Sequence, residues 1–447
     1  MTASNNGGLH SRINLISNIK YSFLVKFIHI LTNLYLVKIA IDLSGESNYG
    51  LWLTFLSIFT WFSCIDVGLN NSFRRELTKA FDSKNNPLFN RITGQMFSQS
   101  LVHYLFVLVI VSGVVVLFPI ESFFSNQHTM EKWEFKSLLL VCFGIYFGHF
   151  VLFTTNSILL SIHKAKESFF WLFFQSGITL IILFSFKFSS SNLNLVEICL
   201  SFSIGPLLSW LTATFYYKKK LNFSVWETKE GKVWYSRILK STKTNQFFLI
   251  QLATLTFFSA DNLIIMKLIS ASEVASYQVA FKYFNIIIVA FNIVLVPFWS
   301  AFSSADHNDS QHWISKKLKQ LIALWFLFVL GAVAMLYISN TIYNLWIGNN
   351  FSVSMWLNIA AALFILQIIW NTIFSNYLNS IEKVKSQMTF LIIGSILNIP
   401  LSIYFGKLYG ASGIILTTCF CLLPLSIIMP IESFRSISKK KESLEGV

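Results

Sequence analysis

Leu105 to Phe118 reads LFVLVIVSGVVVLF, with Ser112 the one polar side chain in fourteen residues. A helix needs about 20 mainly apolar residues to cross the hydrocarbon core of a bilayer. A barrel strand would instead alternate apolar and polar residues over about ten. This run does not alternate, and it sits inside the longer apolar stretch Ile92–Phe118, so it predicts a membrane-spanning helix. Working outward with the same criterion predicts spans at Ile13–Asp42, Tyr49–Leu69, Ile92–Phe118, Phe135–Leu160, Phe169–Phe186 and Leu195–Tyr217. After a polar stretch come Asn245–Ile269, Ser276–Phe302, Leu318–Ile338, Trp356–Tyr377, Thr389–Phe405 and Ala411–Ile431. The apolar character of Phe169–Tyr217 is nearly continuous, so the break between the fifth and sixth spans is the least marked.

Composition agrees. Of 447 residues 54% are hydrophobic and only 12% charged, about half the charge fraction of a soluble globular domain. The formal net charge is +14. In a soluble chain that excess would suggest nucleic acid, but no aromatic-basic module is present to stack bases, and no nucleic-acid partner is expected. In a polytopic membrane protein the surplus marks cytoplasmic loops. With the N-terminus placed inside, 26 of the 34 Lys and Arg residues fall in cytoplasmic segments and five outside, while Lys26, Lys38 and Lys282 lie within spans. Both termini are therefore expected in the cytoplasm. Met1 to Asn18 is polar, and no small-residue cleavage site follows a short apolar core, so the first helix is expected to stay in the mature chain. Cys64, Cys142, Cys199, Cys419 and Cys421 lie in or near apolar segments without a C-x-x-C, and read as small buried side chains.

The chain reads as two halves. Leu43–Trp52 (LSGESNYGLW) and Ile269–Ala280 (ISASEVASYQVA) are both short external loops with Ser and Glu, each followed by a Tyr that opens a helix. Leu159–Ser168 (LLSIHKAKES) likewise matches Leu378–Gln387 (LNSIEKVKSQ). Offsets of about 220–230 residues make six helices repeat as six. Parallel repeats around a central cavity suit a transporter. The expectation is an all-α polytopic membrane protein of about 12 transmembrane helices in two six-helix pseudo-repeats, with bundles at 1–217 and 245–447, a basic linker at 218–244 and a basic C-terminal tail.

No catalytic or cofactor motif is visible. The sequence has no G-x-x-x-x-G-K-[ST] loop, no H-E-x-x-H, no Cys/His metal cluster and no G-x-S-x-G elbow. Its longest external stretch, about Pro119 to Glu134, is too short for a catalytic domain. No enzyme, cofactor or metal is expected. The informative residues are polar ones inside spans, which must face a partner or water. Lys26, His29 and Asn33 share one face of the first helix, with Lys38 nearer the external end. Gln251, Thr254 and Asp261 share a face of the seventh helix, Gln278, Lys282, Asn285 and Asn292 of the eighth, and Gln367, Asn371 and Ser375 of the tenth. His149 and Asn156 are seven apart on the fourth. Interhelical hydrogen bonding accounts for many such groups. A fixed cation at Lys26 or Lys282 points instead to an anionic ligand. Asp261 reads as a proton or sodium site or as the charge partner of Lys282. Asp66, ahead of Arg74 and Arg75, reads as half of an ion pair at the cytoplasmic edge, and the basic runs at Lys218–Lys220 and Lys439–Lys441 as topology signals that touch anionic lipid head groups.

The stretch YGLWLTFLSIFTWFSCIDVGLNNSFRREL (Tyr49–Leu77) resembles the first-repeat signature of bacterial polysaccharide repeat-unit flippases of the Wzx type. That superfamily also holds the multidrug and toxin extrusion transporters and the lipid II flippase. PFWSAF (Pro297–Phe302), Asp261 ahead of Tyr277, and WNTIFSNYLNSIEKVKSQ (Trp370–Gln387) are similar to the same family. The resemblance covers essentially the whole chain and says little of the individual cargo. It implies movement of an undecaprenyl-pyrophosphate-linked oligosaccharide across the bacterial inner membrane by alternating access, for O-antigen, capsule or exopolysaccharide assembly. It implies membrane lipids as surroundings and H+ or Na+ coupling in some members, and leaves open whether a polymerase and chain-length regulator work beside the protein. Such cargo fits the residues: Lys26, Lys38 and Lys282 suit pyrophosphate or acidic sugars, and His29, Asn33, Gln278, Asn285 and Asn371 suit sugar hydroxyls. An ion-coupled drug or cation exporter of the same fold would carry carboxylates in place of lysines. A membrane polymerase or glycosyltransferase would need a larger external loop, and a scaffold would need no charged stripes.

Overall fold

The computed structural model describes residues 5–124, 130–189, 192–223, 225, 242–295, 298, 302, 305, 311–349, 351–381 and 383–445. Among them there is no strand. The helices are α1 (Asn5–Asp82), α2 (Asn86–Leu117), α3 (Glu121–Phe124), α4 (Lys132–Ser161), α5 (Ala165–Ser189), α6 (Leu195–Leu221), α7 (Thr242–Leu268), α8 (Ala271–Leu295), α9 (Gln311–Trp346), α10 (Met355–Ser380) and α11 (Lys385–Glu445).

Two of these helices are each two spans. The 78 residues of α1 would measure about 117 Å if straight, far beyond a bilayer of about 40–45 Å. The helix breaks at Gly45 (φ 75°, ψ 163°), a conformation essentially closed to residues with a Cβ. In the same way α11 breaks at Gly410 (φ 65°, ψ −152°). Among the described residues ten segments are long and apolar enough to cross a bilayer. With the two broken helices counted as pairs of legs, they account for the twelve expected spans. The weakly marked break between the fifth and sixth spans is set by a capping box: Asn194 accepts from the Glu197 amide at 2.9 Å, and the Glu197 carboxylate accepts from the Asn194 amide at 2.8 Å. The eighth span starts earlier than expected because Ser270 caps α8, accepting from the Glu273 amide at 3.1 Å. Its expected end at Phe302 lies mostly outside the described residues, as do the side chains of Asp66, Arg74 and Arg75 and most of the basic linker.

The chain divides into two compact units. The first is Met1–Phe55 with Phe62–Lys240, and the second is Leu56–Trp61 with Ser241–Val447. In the first, α4 packs on α2 and α6, and α5 on α6. Polar side chains fasten these contacts: Thr155 to Thr214 at 2.7 Å, Thr154 to Ser100 at 3.2 Å, and Trp210 Nε1 to Gln175 Oε1 at 2.9 Å. In lipid such bonds average about 0.6 kcal/mol each. In the second unit α10 is central, packed on α8, α9 and α11, while α11 also packs on α7. The indoles of Trp325 and Trp370 donate to the carbonyls of Leu366 and Ser426, each at 2.9 Å. The opposite face of α9 is apolar and open: Leu330 is 68% exposed and Leu345 74%. In water that face would be an aggregation surface, whereas in a bilayer it is the lipid contact.

Beside the C-terminal end of α2, Lys136 is buried. Its Nζ donates to the Val116 and Phe118 carbonyls at 3.1 and 3.0 Å and lies 3.4 Å from Glu121. It closes the C-terminus of α2, where carbonyls lack helical partners and the helix dipole favours a cation. Burial works to raise the Glu121 carboxyl, but its backbone amide and the Lys132 and Lys136 ammoniums hold it below the ordinary value.

Candidate functional site

In the first unit the expected stripe on α1 exists but is partly self-satisfied. Asn33 Nδ2 lies 2.9 Å from the His29 carbonyl and 3.1 Å from its ring nitrogens. Ser176 of α5 approaches His29 Nδ1 at 3.3 Å. Lys26, one turn away, is exposed and places its ammonium 5.7 Å from the Phe169 ring centroid. Lys38 is half-buried further along the same leg. These residues form one polar strip between α1 and α5, with a cation at its end.

The same unit holds a second polar strip that the sequence reading missed. Gln95, Gln99 and His103 step by four along α2. Both amide atoms of Gln99, and Nε2 of His103, are shielded from solvent without a hydrogen-bond partner. On α4, both ring nitrogens of His149 are in the same condition, with Tyr146, Phe150 and Phe153 rings 5.5–5.6 Å away. Asn156, the expected companion of His149, instead accepts a hydrogen bond from Ser168. The four-residue spacing on α2 was the available signal, and the apolar run that follows it hid it.

In the second unit Asp261 is wholly buried. The Tyr277 hydroxyl donates to it at 3.4 Å and Thr418 at 3.5 Å, while Asn398 Nδ2 donates to Thr418 at 2.9 Å. Among the described residues the Asp261 carboxylate has no ion-pair partner. Beside it on α7, Asn262 accepts from Gln278 Nε2 of α8 at 3.0 Å. Lys282, Asn285 and Asn292 are half-buried along α8.

The α10 stripe is longer than Gln367–Ser375. Gln367, Asn371, Ser375 and Asn379 step by four over about 18 Å of helix. Gln367 gives its Nε2 to Cys419 O and Ser426 Oγ, each at 3.0 Å. The amide oxygens of Gln367, Asn371 and Asn379 are shielded and unpartnered. An amide oxygen in that state is an acceptor waiting for a donor, and a row of them suits a polyhydroxylated ligand. Among the described residues no three His, Cys, Asp or Glu side chains gather to hold a metal.

No protein-family model matches the sequence. A candidate O-antigen transporter of Salmonella typhi is 20% identical over 411 residues, covering 88% of this chain and 90% of the relative. Among solved structures, an inward-facing multidrug resistance MATE family transporter of the MOP superfamily superposes with a TM-score of 0.73 at 13% identity, over 94% of this chain and 98% of that one. The lipid II flippase MurJ, in an inward closed conformation, gives 0.69 at 16% identity over 95% and 90%. A MOP superfamily transporter from Pyrococcus furiosus gives 0.64 at 14% identity over 95% and 96%. The class is thus fixed: a multi-pass membrane protein with the fold of the MOP-superfamily transporters. Within that class, the similarity in sequence over nearly the whole chain is to a candidate O-antigen transporter.

Proposed function

We propose that the protein is a flippase that moves undecaprenyl-pyrophosphate-linked oligosaccharide repeat units across the bacterial inner membrane by alternating access, without catalysis. The observation that carries this reading is chain-long similarity to a candidate O-antigen transporter on a fold shared with a lipid II flippase. Both termini lie in the cytoplasm, on the strength of the Lys and Arg bias. The two bundles and the basic linker divide the chain at 217 and 245, and rocking of one bundle against the other exposes the cargo to each side in turn.

Each candidate residue takes a role from its chemistry. Lys26, Lys38 and Lys282 hold the pyrophosphate or acidic sugars. His29, Asn33, Gln278 and Asn285 exchange hydrogen bonds with sugar hydroxyls, and the unpartnered amide oxygens at Gln367, Asn371 and Asn379 support that use of α10. Asp261 couples H+ or Na+, because a buried carboxylate with, among the described residues, two long hydroxyl donors and no ion-pair partner favours binding a cation.

The test is complementation. Deleting the gene in its host should abolish surface polysaccharide and leave single repeat units on lipid at the cytoplasmic face. Wild type should restore the polymer, and Lys282→Ala, still present in the membrane, should not. Unchanged polymer in the deletion strain, with altered sensitivity to cationic dyes, would replace this reading with a drug exporter of the same fold. Normal polymer with Lys282→Ala would remove Lys282 from the site.

A further inference from the structure

The break at Gly410 folds α11 back on itself, and this has a chemical result at its basic end. Lys383 and Ser386, at the turn into α11, are brought beside Glu432, Arg435, Ser436 and Lys439 on its last leg. Lys383 Nζ donates to Ser436 Oγ at 2.8 Å across the gap. The space between them is a pocket of about 430 Å³, within the usual range for a small-molecule site. Glu432, Arg435, Ser436 and Lys439 are spaced i, i+3, i+4 and i+7, so all four share one face of the leg.

Three cations meet one carboxylate here. Among the described residues none of Lys383, Arg435 and Lys439 is ion-paired, and the Glu432 Oε2 is shielded without a hydrogen-bond partner. The pocket therefore carries uncompensated positive charge and one open acceptor. Its other wall is apolar: Ile428 and Ile431 line it, and Ile431 is 59% exposed. A free phosphate would leave that wall unused. An amphiphile would fill both parts, its phosphate on the cations and its chain along the isoleucines.

We propose that this pocket is a binding site for the head group of an anionic glycerophospholipid, with phosphatidylglycerol the fitting type. The phosphodiester lies against Lys383, Arg435 and Lys439, and a head-group hydroxyl donates to Glu432. Basic pockets between spanning helices on the cytoplasmic side recognise lipid phosphates in this way, and the charge bias assigns this end to the cytoplasm. The inference goes beyond the transport reading and does not depend on it.

The test uses the purified full chain in detergent, titrated with phosphatidylglycerol, phosphatidylethanolamine or undecaprenyl pyrophosphate and read by native mass spectrometry. Wild type should retain phosphatidylglycerol at least tenfold more strongly than phosphatidylethanolamine. The triple variant Lys383→Ala/Arg435→Ala/Lys439→Ala should lose that preference. Arg435→Gln alone, a change at an exposed position that leaves the fold intact, should weaken it severalfold. Glu432→Gln should keep phosphate binding and lose discrimination between phosphatidylglycerol and an anionic lipid without head-group hydroxyls. Unchanged preference in the triple variant would overturn the assignment. Displacement of phosphatidylglycerol by equimolar undecaprenyl pyrophosphate would also overturn it, and would give the pocket to the transported lipid.

Discussion

Thr418→Val and Asp261→Asn separate the structural from the ionic use of one buried network. Thr418 accepts from Asn398 Nδ2 at 2.9 Å and approaches both oxygens of Asp261 at 3.5 Å and the Ile414 carbonyl at 3.2 Å. Valine fills the same space, so Thr418→Val opens no cavity and its cost is that of the hydroxyl alone. Asn398 is wholly buried and its Oδ1 already lacks a partner. Removing the Thr418 hydroxyl takes away the oxygen acceptor of that amide and leaves it the weak acceptor Cys421. Stranding a buried group costs about 1–3 kcal/mol, and hydrogen bonds between membrane helices reach at most about 1.7 kcal/mol. The expected loss is therefore about 1–2 kcal/mol, or a fall of roughly 2–8 °C in melting temperature for a unit of this size. Asp261→Asn should behave oppositely. Its two donors are long and, among the described residues, no ion pair offsets its charge, so a neutral isostere should leave the melting temperature unchanged or raise it. Transport in proteoliposomes should then lose its dependence on the imposed H+ or Na+ gradient. Thermal unfolding in detergent and gradient-driven transport read the two effects independently. If Asp261→Asn destabilises as much as Thr418→Val, the carboxylate is a structural acceptor. If Asp261→Asn keeps full gradient dependence, it is no coupling site.

Lys136→Met should lower stability by about 1–3 kcal/mol, because it strips the ammonium from two α2 carbonyls and from Glu121; Lys132→Met, at a position 57% exposed, should cost under about 1 kcal/mol, and melting curves of the two variants give the comparison. Acid should expose the same cluster. The Glu121 carboxyl is held below its unfolded value of 4.5, so its contribution is fully present above about pH 4.5 and is lost as the pH falls through its folded value. Wild type should lose thermal stability on that acid side more steeply than Glu121→Gln, and parallel melting profiles would refute the assignment.

Much of the fold is legible in hydropathy because a bilayer imposes one length and one composition on every span. The twelve apolar stretches are helical where described, apart from the terminal Phe118 and Ile269, and the two long fusions are explained by Gly45 and Gly410, which hydropathy alone does not distinguish from other glycines. Partners are less legible. The spacing of Lys26, His29 and Asn33 gives their shared face, but not that Asn33 closes on His29 within the helix. Lys136 counts as one external charge in a topology argument, whereas its role depends on where the C-terminus of α2 stops. Asp261 and Lys282 sit on neighbouring helices, and no periodicity within either helix decides whether they touch. Asn379 lies two residues beyond the expected end of the tenth span, so a span-by-span reading separates it from the Gln367–Asn371–Ser375 face that it continues.

The candidate residues can be ranked by what is already satisfied. His29 bonds to both Asn33 and Ser176, so a ligand must displace an existing interaction and gains only the difference. Gln278 is similarly engaged with Asn262. The amide oxygens on α10 have no such bond to give up. A donor that reaches them gains nearly the whole hydrogen bond, because shielded acceptors have already lost their water. A sugar chain supplies donors at intervals along its length, and the α10 row supplies acceptors one helical turn apart. On the proposed flippase reading, the repeated amide face of α10 therefore makes the stronger claim to oligosaccharide contact within the second unit, and Lys282 the claim to its charged end.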